Sequence, residues 1–195
     1  MPAVLPGSTR TLVRRELTRE GLQELMAELA HTAPRGESFR VYVVGGGTAV
    51  LSGWRASTID ADLHAERDEV FRDIQGIKDR LRLNIEFARP EHFVPALAAS
   101  ADRHLFIDRV GSVDFFHYDP YAQLLSKIVR GFRKDMLDAE RFVKSGMVDP
   151  RRFEELIRGI PDSAYARYPN LSRDAVLAAV EAFVSKVEKE DGEAL

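Results

Sequence analysis

Apolar residues at Leu22, Leu25, Met26 and Leu29 recur at intervals of three and four, which predicts an amphipathic helix capped by Thr18. Pro34-Arg35-Gly36 ends that pattern. Phe39 to Val44 then reads as a mostly buried strand, rich in β-branched and aromatic side chains. It runs straight into Gly45-Gly46-Gly47, and Thr48 to Leu51 opens a short helix. Thr58 to Leu63 alternates polar and apolar residues as a second strand. Asp68 starts a helical stretch through Val70, Phe71, Ile74, Ile77 and Leu81, and Leu83 to Phe87 forms a third strand. His104–Ile107 and Val113–His117 flank Gly111-Ser112 as a hairpin.

From there the periodicity is helical. Asp119-Pro120 and Asp149-Pro150 each place a capping carboxylate before a proline at the first helical position. The first of these helices is expected to run unbroken from Asp119 to about Ser145 and to stop at Gly146. Its inner stripe would be Tyr121, Leu125, Ile128 and Phe132, with Lys127, Arg130, Lys134 and Asp138 together on the other face. Asp135 is drawn toward the packed side and needs partners there, such as Arg130 or Arg133. Ser172 caps a last helix with Val176, Val180, Phe183, Val184 and Val187 inward. The order of elements gives an α+β class, with a mixed core over 1–118 and a helical region over 119–195 packed on it.

Composition narrows the chemistry. The chain has 195 residues, 45% hydrophobic and 30% charged, enough to bury a core without covalent staples. It has no cysteine, so thiolate zinc sites, disulfides and a thiol nucleophile are excluded. A metal here would sit on oxygen or imidazole, which favours Mg2+ or Mn2+. The formal net charge of −3 offers no global basic field for nucleic acid. Arg10, Arg14 and Arg15 are not followed by an apolar run of signal-peptide length, and no stretch approaches the roughly 20 apolar residues of a membrane span. A cytoplasmic location is expected.

Two motifs carry the functional reading. A glycine run between a strand and a helix lets backbone N–H groups approach an anion, and Thr48 adds a hydroxyl there. In Thr-Ile-Asp-Ala-Asp-Leu, Asp60 and Asp62 alternate with apolar residues and so project from one face of a strand. Two such carboxylates repel unless a cation lies between them. A dinucleotide fingerprint is excluded because Val50 stands where its last glycine belongs. The interval 49–59 is also too short for a crossover helix and return. The lysine of a P-loop is absent.

Gly46-Gly47-Thr48 followed by Asp60-Ala61-Asp62-Leu63 resembles the signature of the polymerase-β-like nucleotidyltransferase superfamily. Arg55, Ser57 and Thr58 between its halves, and Lys-Ile-Val-Arg-Gly-Phe-Arg-Lys-Asp-Met-Leu-Asp over 127–138, are similar to the minimal bacterial AbiEii-type branch. The resemblance implies a small mixed β-sheet flanked by helices, with a nucleotide held between the glycine turn and the acids. It implies metal ligation by Asp60, Asp62 and a third acid on a later strand. Glu86 is the best match by chain order, with Asp114 the rival. It implies nucleotide contacts from Gly45, Gly46, Gly47, Thr48, Arg55, Lys127 and Arg130, with Asp135 and Asp138 orienting the basic side chains. The expected activity is Mg2+- or Mn2+-dependent transfer of a nucleoside monophosphate from an NTP to a hydroxyl of an RNA end or a protein. Relatives of this kind are often toxins paired with an antitoxin or serving phage defence. The alternative is a nucleotide- or partner-binding module that keeps the fold without turnover. Trp54 is expected either to flank the base or to pack, and His64 either to approach the site or to lie on the surface.

Overall fold

The computed structural model describes residues 14–193, so Arg10 and the signal-peptide reading of the first residues lie outside it. Helix α1 (Arg19–Thr32) starts where Thr18 accepts a hydrogen bond from the Gly21 N–H at 3.3 Å, and it buries Leu22, Leu25, Met26 and Leu29 as its periodicity requires. Strand β1 (Phe39–Val44) leads into the short helix α2 (Gly45–Leu51). Strand β2 (Asp60–Ala65) then returns antiparallel to β1, pairing Val44 with Asp62. A 3-10 turn over Asp68–Phe71 separates β2 from α3 (Ile74–Leu81), so the expected continuous helical stretch is two pieces. Strand β3 (Asn84–Phe87) lies parallel to β2, while β4 (Leu105–Val110) and β5 (Val113–His117) form the expected hairpin about Gly111-Ser112. The sheet order is β3-β2-β1-β5-β4, with β5 parallel to β1.

The alternation along each strand divides the sheet into two cores. Val41, Val43, Ala61, Leu63, Ile85, Val113 and Phe115 face α1 and α3. Tyr42 and Val44 face the other way, into a cluster with the helices that follow the sheet. Those are α4 (Pro120–Arg130), α5 (Arg133–Lys144), α6 (Pro150–Arg158), the short α7 (Asp162–Tyr165) and α8 (Arg173–Glu193). The capping expectations hold. Asp119 accepts from the Tyr121 N–H at 2.9 Å and Asp149 from the Arg152 N–H at 2.8 Å. Ser172 accepts from the Ala175 N–H at 3.2 Å. Phe142 and Phe153 are fully buried, and truncating either would cost about 3–5 kcal/mol.

One helix prediction is corrected. The run from Asp119 to Ser145 is not a single helix, because Gly131 adopts a left-handed conformation with φ +65° and closes α4. Phe132 follows at 67% exposure, outside the apolar stripe that a continuous helix would have given it. The break folds α5 back so that its carboxylates meet the end of α4. Lys127 Nζ donates to Asp138 at 2.6 Å and to Asp135 at 3.4 Å, while Arg130 holds Asp135 through two bonds of 3.0 Å. Arg55 reaches the same cluster, donating to Asp138 at 2.8 Å. Lys127 is thus 6% exposed, enclosed between α4 and α5. Three cations share two buried carboxylates.

That sharing makes the network asymmetric. Lys127→Met leaves Asp138 with Arg55 and Asp135 with Arg130, so each carboxylate keeps a guanidinium. Asp138→Ala leaves a buried ammonium with one shared, longer contact. Urea denaturation should show Asp138→Ala costing about 3 kcal/mol or more, and Lys127→Met clearly less.

Candidate active site

The carboxyl end of β1 is where the glycine turn and the acids meet. Val44 pairs with Asp62 across the antiparallel ladder, which brings the returning strand against the turn. The contact is close. A Cβ placed on Gly45, whose φ is +61°, would come within 2.6 Å of an Asp62 carboxylate oxygen. One on Gly46 would collide with the Thr58 hydroxyl and lie 2.9 Å from Thr58 Cβ, and one on Gly47 would lie 2.7 Å from Val43 Cγ1. Only hydrogen fits at these positions.

Asp60 and Asp62 point to the same sheet face, and the parallel register sets Glu86 beside Asp62 and Asn84 beside Asp60. Asn84 Nδ2 donates to both Asp60 and Glu86, at 3.2 Å to the latter. Burial pushes the Asp62 carboxyl up to about 6, reinforced by the charges of Glu86 and Asp60 and opposed by Arg130 and Lys127. Asp114 shares this face but pairs with Arg40 at the opposite end of β1. There Arg109 donates to it at 2.8 Å and holds its carboxyl below the usual range.

These groups open onto a cleft of about 420 Å³, within the size range of small-ligand sites. Asp60, Asp62 and Glu86 line it from the sheet, Gly45 and Gly46 from the turn, and Lys127, Arg130, Lys134 and Asp135 from α4 and α5. Arg55 lines it too, with its guanidinium held by Asp138 and the Lys134 carbonyl.

A family model described as a nucleotidyltransferase of unknown function (DUF6036) matches residues 20–188. The chain belongs to that family. No curated protein and no solved structure matches it. The mixed five-stranded sheet with flanking and C-terminal helices is consistent with the α+β nucleotidyltransferase-like fold that the match carries.

In this member of the family the turn differs from its expected anatomy in two respects. Gly47 and Thr48 do not line the cleft. Thr48 is 0% exposed and donates its hydroxyl to the Val43 carbonyl at 3.1 Å, so it locks the turn and does not face a ligand. The Gly45 N–H donates to Gln123 Oε1 at 2.9 Å, while Gln123 Nε2 donates to the Tyr118 carbonyl at 2.8 Å. Gln123 therefore ties α4 to both the turn and the end of β5. Trp54 packs edge-on to Phe142 with centroids 4.9 Å apart, and His64 lies in an aromatic box with Tyr42 and Tyr118. Asn84 and Gln123 were missed from sequence, and Thr58 was noted only as part of the resemblance, not for its contact with Gly46. Their roles depend on register and on helix docking, which no local pattern encodes. Among the described residues, no three His, Asp or Glu side chains stand as a ready-made metal cage.

Two measurements test this arrangement. Gly46→Ala should destabilise the protein by about 2 kcal/mol. Adding Thr58→Gly should restore much of it, giving a coupling of about 1 kcal/mol or more in a double-mutant cycle.

The second concerns His117, whose Nδ1 lies 3.3 Å from Thr48 Oγ1. Thr48 gives its proton to Val43, so Nδ1 is read as the donor. Burial pushes the His117 pKa down from 6.5 to about 4. The neutral form is favoured on folding, so its stabilisation is complete above about pH 6.5 and is lost as pH falls toward 4. Asp62, raised to about 6, contributes with the opposite sign in part of that window. The difference between wild-type and His117→Gln stability curves isolates the histidine. It should shift by about 1–2 kcal/mol between pH 7 and pH 5.

Proposed function

We propose that this nucleotidyltransferase moves a nucleoside monophosphate from an NTP to a hydroxyl acceptor, with Mg2+ or Mn2+ as cofactor. The observation that carries the reading is the charge layout of the cleft. Asp60, Asp62 and Glu86 line it from the sheet, and Lys127, Arg130 and Arg55 line it from the opposing helices and the β1–β2 connection. The acidic side suits a hard divalent ion, because its donors are carboxylate oxygens gathered on one sheet face. Asp60, Asp62 and Glu86 would hold the ion, which when bound supplies charge neutralisation and orientation at the reacting phosphate.

The chain's own groups then divide the work. Lys127 and Arg130 face the triphosphate and neutralise the departing pyrophosphate. Asp135 and Asp138 fix the directions of those cations. The acceptor oxygen forms a bond to the α-phosphorus as the bond from that phosphorus to the pyrophosphate oxygen breaks, and Glu86 takes the hydroxyl proton. Gly45 and Gly46 let the nucleotide approach the backbone closely. An RNA end or a protein side chain is the proposed acceptor, and the proposed setting is a cytoplasmic toxin of the AbiEii type held in check by an antitoxin.

A second reading, a nucleotide-binding module without turnover, is favoured by one observation. The Gly45 N–H that would meet phosphate is already taken by Gln123.

Incubation with each labelled NTP, Mg2+ or Mn2+, and total RNA or protein separates the two. Label should appear in an acceptor with wild-type protein and fall by at least about 10³-fold in Asp60→Ala and Asp62→Asn. Nucleotide binding without transfer to any acceptor would establish the second reading.

A further inference from the structure

Among the described residues, Asn84 is the one neutral side chain bonded into the acid cluster, and it is placed there by register. It pairs with Asp60 across the β2–β3 ladder and stands two residues from Glu86 on the same face. Its amide nitrogen has two hydrogens, and it spends them on Asp60 Oδ1 and Glu86 Oε1. Two carboxylates that repel each other are thereby joined through the positive end of one amide dipole. An amide does part of what a cation would do there, without neutralising the charge.

We propose that Asn84 is a positioning residue that holds Asp60 and Glu86 in a cation-free arrangement and must release them when a divalent ion binds, so that it sets the metal affinity of the site. The inference rests on the metal-dependent reading above. The lone pairs that accept from Asn84 are the same oxygens a hard ion would claim, so amide and ion compete for them. Asn84 lies on β3, at the edge of the sheet. Its side chain can turn outward without breaking a ladder between two inner strands.

A competitor and a ligand give opposite signs. If Asn84 stabilises only the metal-free state, its removal lowers the stability of that state and tightens metal binding. If its carbonyl oxygen were itself a ligand, removal would weaken binding. Mn2+ titration of the full chain by calorimetry, with thermal melting in parallel and no nucleotide present, distinguishes them in wild type, Asn84→Ala and Asn84→Val. The valine variant favours the strand, so a folded donor-free form is at hand should alanine fail to fold.

Both variants should melt below wild type without metal and, with two charge-assisted hydrogen bonds lost, bind Mn2+ at least about ten-fold more tightly. Variants that unfold without metal but are restored by Mn2+ would also support the proposal. Unchanged or weaker binding in the variants, with wild type binding, overturns the role of Asn84 alone. Absence of Mn2+ binding from wild type and variants overturns the metal-dependent reading and this inference with it. Asp62→Asn, expected to lose Mn2+ binding in each background, ties any signal to this site.

Discussion

Everything in the cleft depends on how closely the backbone of Gly45 to Gly47 is pressed by its neighbours. Asp62, Thr58 and Val43 each occupy the space that a side chain on one of these glycines would need. The antiparallel return of β2 forces this approach, because it pairs Val44 with Asp62 at the carboxyl end of β1. A carboxylate is thereby held against a turn that offers it no opposing charge. Its elevated pKa follows from that position. Glu86 and Asn84 then arrive through the parallel pairing of β3, and Gln123 fastens α4 to the same turn. Turn, acids and helix form one unit. A shift in the first would move the others.

The two charge clusters solve opposite problems. At the sheet, carboxylates gather with only a neutral amide between two of them, and burial together with its acidic neighbours raises the proton affinity of Asp62. At the helices, the break at Gly131 brings Asp135 and Asp138 under Lys127, so a buried ammonium is matched by two carboxylates, each with a guanidinium of its own. The second cluster is internally satisfied and rigid, the first is not. Buried charge that is paired stabilises position, whereas unpaired charge of one sign recruits a counter-ion.

The contrast explains what could be read from the chain and what could not. The helix of Leu22 to Leu29, the strand before the glycines, the hairpin about Gly111 and the Asp-Pro caps follow from period and local hydrogen bonding. The chain states these openly. Asp60 and Asp62 on one face likewise follow from the two-residue strand period. The single long helix failed because Gly131, inside a strong helical period, takes the left-handed conformation that ends a helix. The ion network that joins α5 to α4 across the break is tertiary and has no local signature. Thr48 was assigned to a ligand by its place after the glycines. Burial decides its partner, and the nearest acceptor is the Val43 carbonyl. Asn84 and Gln123 carry no pattern at all, since each matters through a strand or helix distant in sequence.

Within the proposed reaction, the same network suggests a division of labour among its cations. Arg130 has a side chain 45% exposed and shares Asp135 with Lys127, so it can lend hydrogen bonds to a phosphate while that carboxylate keeps a partner. Lys127 is enclosed and bonded to both carboxylates, so its contribution is a fixed positive charge. Arg55 is held by Asp138 and a carbonyl of α5, which fixes the loop between β1 and β2 to the helices. Three cations against two carboxylates leave the network one positive charge in excess, and Lys134 adds another on that side of the cleft. The acids on the sheet line the same cleft, and in the proposed reaction a phosphate chain with its divalent ion would be the ligand that answers both sides.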